Sequence, residues 1–122
     1  MAYVDGFVLM VPKKNRKAYI KMAKEGKDMW MKRGAIDYKE CRIDDDKKAQ
    51  YGSLTFAKLV KPKAGEEVWF SYIVYKTKAD RNRINKAIEK DMKEWEKKGG
   101  DMKMPFKMNR MAVAGFTVEV DK

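Results

Sequence analysis

The sequence predicts an α+β fold of the ferredoxin-like type: a βαββαβ order making a four-stranded antiparallel sheet with two helices on one face. The first observation is Val68 to Tyr75, eight aromatic and β-branched residues without Gly or Pro, apolar on both strand faces. The second is Tyr3 to Val11, which shares that two-faced character. The third is that each of these strands precedes a stretch with apolar residues three and four apart. Two split βαβ units with right-handed crossovers then place the first and third strands in the centre, where strands apolar on both faces belong. Two helices cover one face only. A monomer rarely leaves a large apolar face bare, so the pattern predicts a homodimer with the sheets stacked, a dimeric α/β barrel. Phe7, Trp69, Ser71 and Ile73 are the candidates for the dimer face.

The first strand carries Asp5-Gly6 inside its apolar run. A carboxylate there must be paired or hydrogen-bonded, by a site or by a bulge near a sheet edge, and Gly6 allows a close neighbour. Pro12 ends the strand. Asn15 is the expected N-cap of a helix reaching Arg33, with Gly34 just past its end. Tyr19, Met22, Ala23, Gly26, Trp30 and Arg33 share its packing face, and Gly26 points to close helix–sheet contact. Ala35 to Ile43 is the second strand; its charges suit a sheet edge. Asp44-Asp45-Asp46 reads as a solvated acidic turn, without calcium-loop spacing. Residues 47–65 form an excursion with its own packing cluster around Leu54, Phe56 and Leu59. Thr77 to Asp80 resembles a capping box. Ile84, Ala87, Ile88, Asp91, Met92 and Trp95 line one face of the helix that Gly99-Gly100 stops. Met102, Met104, Met108 and Met111 surround Phe106, as gap-fillers or as an adaptable apolar lip, and Arg110 to Val120 is the last strand.

The 122 residues form one domain, 1–122, with a formal charge of +11 from 29 Lys and Arg against 18 Asp and Glu. The positive charges are spread rather than blocked together, as on a solvated surface. Histidine is absent and Cys41 is the single cysteine. That removes the usual neutral-pH base, any internal disulfide and every zinc or iron–sulfur ligand pattern. The expectation is a protein without metal or other cofactor. With no signal-peptide pattern and only strand-sized apolar runs, it is expected in the cytoplasm and off the membrane.

Tyr3-Val4-Asp5-Gly6-Phe7-Val8, Pro12, Tyr19, Gly34-Ala35, Glu40-Cys41, Phe70-Ser71, Tyr75, Arg81, Met104-Pro105-Phe106, Arg110-Met111 and Gly115-Phe116 resemble the YbaA-like bacterial family. That family has no established activity and lies in the dimeric α/β-barrel superfamily. The resemblance implies a ferredoxin-like fold and a homodimer. Where the family typically continues Met-Pro-Phe with Asp-Gly, this chain has Lys107-Met108. Superfamily relatives include small monooxygenases and haem-degrading proteins, several of which depend on a histidine that is missing here.

Two functions fit. The first is binding or transformation of a small molecule in a cleft between sheet and helices, with Asp5, Tyr19, Glu40, Cys41 and Arg110 as candidate ligand-binding residues. Asp5 and Arg110 lie on neighbouring strands, where Arg110 would hold Asp5 ionised or help it orient a substrate. Cys41 could be a nucleophile but has no histidine to activate it, and reads better as a buried small hydrophobe. The alternative is single-stranded RNA on the sheet face, stacked on Phe7, Trp69, Phe70 and Tyr72. Glu66-Glu67, where the RNA-recognition module carries a basic residue, disfavours a nucleic-acid partner.

Overall fold

The computed structural model describes residues 1–46, 50–101 and 103–122. Four strands, β1 (Tyr3–Pro12), β2 (Asp37–Arg42), β3 (Glu66–Tyr75) and β4 (Met111–Thr117), form one antiparallel sheet in the order β2-β3-β1-β4. Helix α1 (Arg16–Arg33) follows β1, and α3 (Lys78–Lys97) follows β3; a short helix, α2 (Phe56–Val60), lies between β2 and β3. The architecture is α+β with an open sheet and is consistent with a ferredoxin-like fold. The two-faced strands are the central pair.

Register fixes the faces. Tyr3, Asp5, Phe7, Leu9 and Val11 stand opposite Tyr75, Ile73, Ser71, Trp69 and Glu67, and directly opposite residues share a face. This is the helix side. Leu9, Val11 and Trp69 pack with Tyr19 and Ala23 of α1 and with Phe106, while Ile73 and Tyr75 pack with Ile84 and Ile88 of α3. The other face carries Val4, Val8, Phe70, Tyr72, Val74 and, from β4, Phe116. Phe70 and Phe116 are 43% and 55% exposed.

This corrects the expected dimer face. Trp69, Ser71 and Ile73 are buried beneath the helices, and Phe7 is on the same side. A strand apolar on both faces defines two sets of residues but leaves open which set the helices cover. Asp5 is likewise in no bulge: pairing of central β1 with β3 is unbroken from Tyr3 to Pro12.

Caps explain the helix limits. Gly34 takes a left-handed conformation, φ 115°, at the end of α1. The Thr77 hydroxyl accepts the Asp80 amide at 3.0 Å at the start of α3. Asn15 precedes α1, but its side chain donates to the Pro105 carbonyl at 2.8 Å, tying the segment before β4 to the helix. Asp46 of the acidic turn accepts the Phe56 and Ala57 amides at 2.9 and 3.0 Å, at the first turn of α2. The packing cluster expected within 47–65 does not form, since Leu54, Phe56 and Leu59 are all exposed. Lys47–Ala49 of that stretch, and Met102, lie outside the described residues.

Candidate functional site

A cleft of about 270 Å³ opens between the helix side of the sheet and helices α1 and α3. Phe7, Leu9 and Ile73 form its floor, Met22, Ala23 and Met29 come from α1, and Ile88 and Met92 from α3. Met104, Phe106 and Met111 also line it, so part of the expected methionine lip is present; Met108 is exposed elsewhere. The lining is almost wholly apolar. The exceptions are Glu25 of α1 and a cluster on the β2 side.

Tyr38 and Glu40 sit two residues apart on β2, hence on one strand face, and Ser71 lies opposite Glu40 on β3. The Tyr19 hydroxyl, on α1, donates to Glu40 Oε1 at 2.6 Å, and the Tyr38 hydroxyl donates to Oε2 at 2.9 Å. Gly26 makes this possible: a Cβ there would stand 3.1 Å from the Tyr38 hydroxyl. Burial first, then hydrogen bonding to and the charge of Glu40, push the Tyr19 hydroxyl far above the ordinary tyrosine pKa. Burial and Glu40 do the same to Tyr38. Both phenols therefore remain donors at any ordinary pH. Among the described residues, no basic side chain forms an ion pair with Glu40.

A second recess of about 340 Å³ adjoins the first and shares Ala23, Tyr38 and Glu40 with it. Its remaining walls are Ile20, Lys24, Lys27 and Trp69. The Trp69 indole N–H is buried and has no hydrogen-bond partner among the described residues. A buried donor left unpaired costs about 1–3 kcal/mol.

Of the five candidate residues, Tyr19 and Glu40 meet in this cleft. Cys41 points to the opposite sheet face, because neighbours along a strand alternate, and there it is exposed rather than buried as expected. Arg110 does not reach Asp5. It lies just before β4 and donates to Glu66 at 3.1 and 2.6 Å, lowering the Glu66 carboxyl's pKa.

Asp5 has other partners. Its Oδ2 accepts the Tyr75 hydroxyl at 3.0 Å and Asn85 Nδ2 at 3.2 Å, and Arg81 Nε stands 3.7 Å from Oδ1. Asn85 in turn accepts the Trp30 indole N–H at 3.0 Å. Arg81 also donates to the Tyr3 hydroxyl at 3.0 Å and stacks over its ring at 4.8 Å. This network underlies the cleft without lining it, apart from Trp30. Sequence reasoning missed Tyr38 as a site residue, although its two-residue spacing from Glu40 signals a shared face. It also missed Arg81 as the partner of Asp5. No local pattern identifies that pairing.

Chain comparison places these features in a family. Residues 2–108 match the family described as protein of unknown function (DUF1428), and the chain belongs to that family. It is 36% identical over 125 residues to the uncharacterized protein YbaA of Escherichia coli strain K12, covering the whole of both chains. The same identity and coverage hold for the YbaA proteins of Escherichia coli O157:H7 and Shigella flexneri.

Proposed function

We propose that the chain binds a small, largely apolar molecule in the helix–sheet cleft, with Glu40 as its polar anchor. One observation carries this reading. A carboxylate stands in an apolar cleft, held by two neutral phenols and by no described cation. Leaving such a charge half-buried costs free energy, and a ligand donor would offset the cost. Pockets that take small ligands share this design, an apolar lining with few polar groups.

p-Cresol, an apolar ring with one hydroxyl donor, is a suitable probe. It should raise the melting temperature of the wild-type chain, and Ala23→Leu, which narrows both recesses, should remove that rise while leaving the chain folded. An equal rise in both proteins would place binding elsewhere and refute the proposal.

The sheet face away from α1 and α3 buries Met10 and Val68 at one end but leaves Phe70 and Phe116 exposed, which supports a homodimer stacked through Val4, Val8, Phe70, Tyr72 and Phe116. Light scattering should give twice the chain mass, and Phe70→Glu with Phe116→Glu should return the monomer mass. RNA is the competing occupant, since Phe70 and Phe116 are exposed aromatics. A monomer that binds oligonucleotide with steep salt dependence would favour that occupant.

A further inference from the structure

We infer that the two recesses together take the zwitterion of an apolar amino acid: side chain in the first, ammonium on Glu40, carboxylate in the second. The inference rests on the cleft reading above and adds the ligand's chemical class.

Three unmet requirements converge at the junction of the recesses. Glu40 accepts two phenols but has no described cation, so it favours a ligand that brings positive charge. Trp69 holds a buried N–H without an acceptor among the described residues and lines the second recess, so it favours a ligand oxygen. Lys24 and Lys27 on α1 line the same recess; Lys27 also stands 2.7 Å from Asp28, while Lys24 has no ion pair among the described residues. That recess therefore favours a negative oxygen.

Simple ligands leave something unmet. A simple amine serves Glu40 and leaves Trp69 and the lysines without an acceptor. A simple acid serves the lysines but brings a second negative charge beside Glu40, which is repulsive in a low-dielectric site. A zwitterion whose two charges are two bonds apart answers both, and the shared walls Ala23, Tyr38 and Glu40 put the two demands next to each other. The first recess, bounded by Phe7, Met22, Met29 and Met92, then takes an apolar or aromatic side chain; sulfur and ring edges make favourable contacts there. Glu25 also lines that recess and adds a second carboxylate favouring the ammonium. Recesses of 270 and 340 Å³ lie at the small end of ligand sites, roughly 300–1,000 Å³.

Calorimetric titration with L-phenylalanine, phenethylamine and 3-phenylpropionate tests this. L-Phenylalanine should bind at least about tenfold more tightly than either analogue, the effect of losing one charge-assisted contact. Glu40→Gln should weaken L-phenylalanine by a similar factor, and Lys24→Ala with Lys27→Ala should do so without lowering the melting temperature. Analogues that match L-phenylalanine would overturn the inference. So would p-cresol binding in the cleft while L-phenylalanine does not bind, a result that leaves the cleft reading standing. Absence of binding by all four probes would overturn both.

Discussion

Replacing Asp5 with Ala removes the acceptor of the Tyr75 hydroxyl and of Asn85 Nδ2, together with the carboxylate 3.7 Å from Arg81. Asp5 is 4% exposed, so water does not replace it. Breaking a buried pair by deleting one partner costs about 3–5 kcal/mol. Arg81 keeps its bond to the Tyr3 hydroxyl and its place over the Tyr3 ring, which puts the expected loss near the lower end, about 3 kcal/mol. Small domains have about 5–15 kcal/mol of stability, so the variant should still fold. Its melting temperature should fall by roughly 10–15 °C, taking about 3–5 °C per kcal/mol for a chain of this size. Urea unfolding followed by circular dichroism, combined in double-mutant cycles, tests the partnership. Asp5 and Arg81 should show a clear coupling energy, whereas Asp5 and Arg110 should add within about 0.5 kcal/mol. A loss under about 1 kcal/mol for Asp5→Ala, or coupling to Arg110 instead of Arg81, would refute the reasoning.

Gly26→Ala should gain about 1 kcal/mol of helix propensity and lose part of it as the new methyl displaces the Tyr38 hydroxyl. Near-wild-type stability with weakened p-cresol binding is therefore expected; unchanged binding would contradict the close-approach role of Gly26. At high pH, Tyr19, Tyr38 and Tyr75 have folded pKa values above the unfolded value of about 10. The stability this represents is complete below pH 10 and is lost as pH rises toward the folded values, so alkaline unfolding should coincide with a cooperative rise in tyrosinate absorbance. At low pH the sign reverses. Arg16 lowers the Glu67 pKa and Arg110 that of Glu66, so their contribution is present above the ordinary carboxylate value of about 4.3 and is lost as pH falls through the folded values. Arg16→Ala should flatten the acid limb of a stability–pH curve, and an unchanged limb would rule that pair out.

Much of the fold is legible in the residues themselves. The two-faced apolar runs of β1 and β3 mark the central strands, Gly34 and Thr77 mark helix ends, and Gly26 marks a close approach. Facing is harder to read. Trp69 and Ser71 alternate with Phe70 and Tyr72, and nothing local says which pair the helices cover. That depends on where Ile84 and Ile88 of α3 come to rest. Tyr19 and Glu40 could be singled out as site residues, but their meeting depends on α1 crossing over β2. The pairings of Asp5 with Arg81 and of Arg110 with Glu66 are long-range, and opposite charges on neighbouring elements offer several equally reasonable partners. Cys41 follows Glu40 directly on β2, and on a strand that places it on the other face.

The most direct test of the cleft is a nuclear magnetic resonance titration of the labelled protein with p-cresol. The account predicts shifts of the Trp30 indole signal and of the Gly26, Glu40 and Ser71 amides, while the Val4, Phe70 and Phe116 amides on the opposite face stay still. Shifts confined to Val4, Phe70 and Phe116, or no shifts at all, would contradict it.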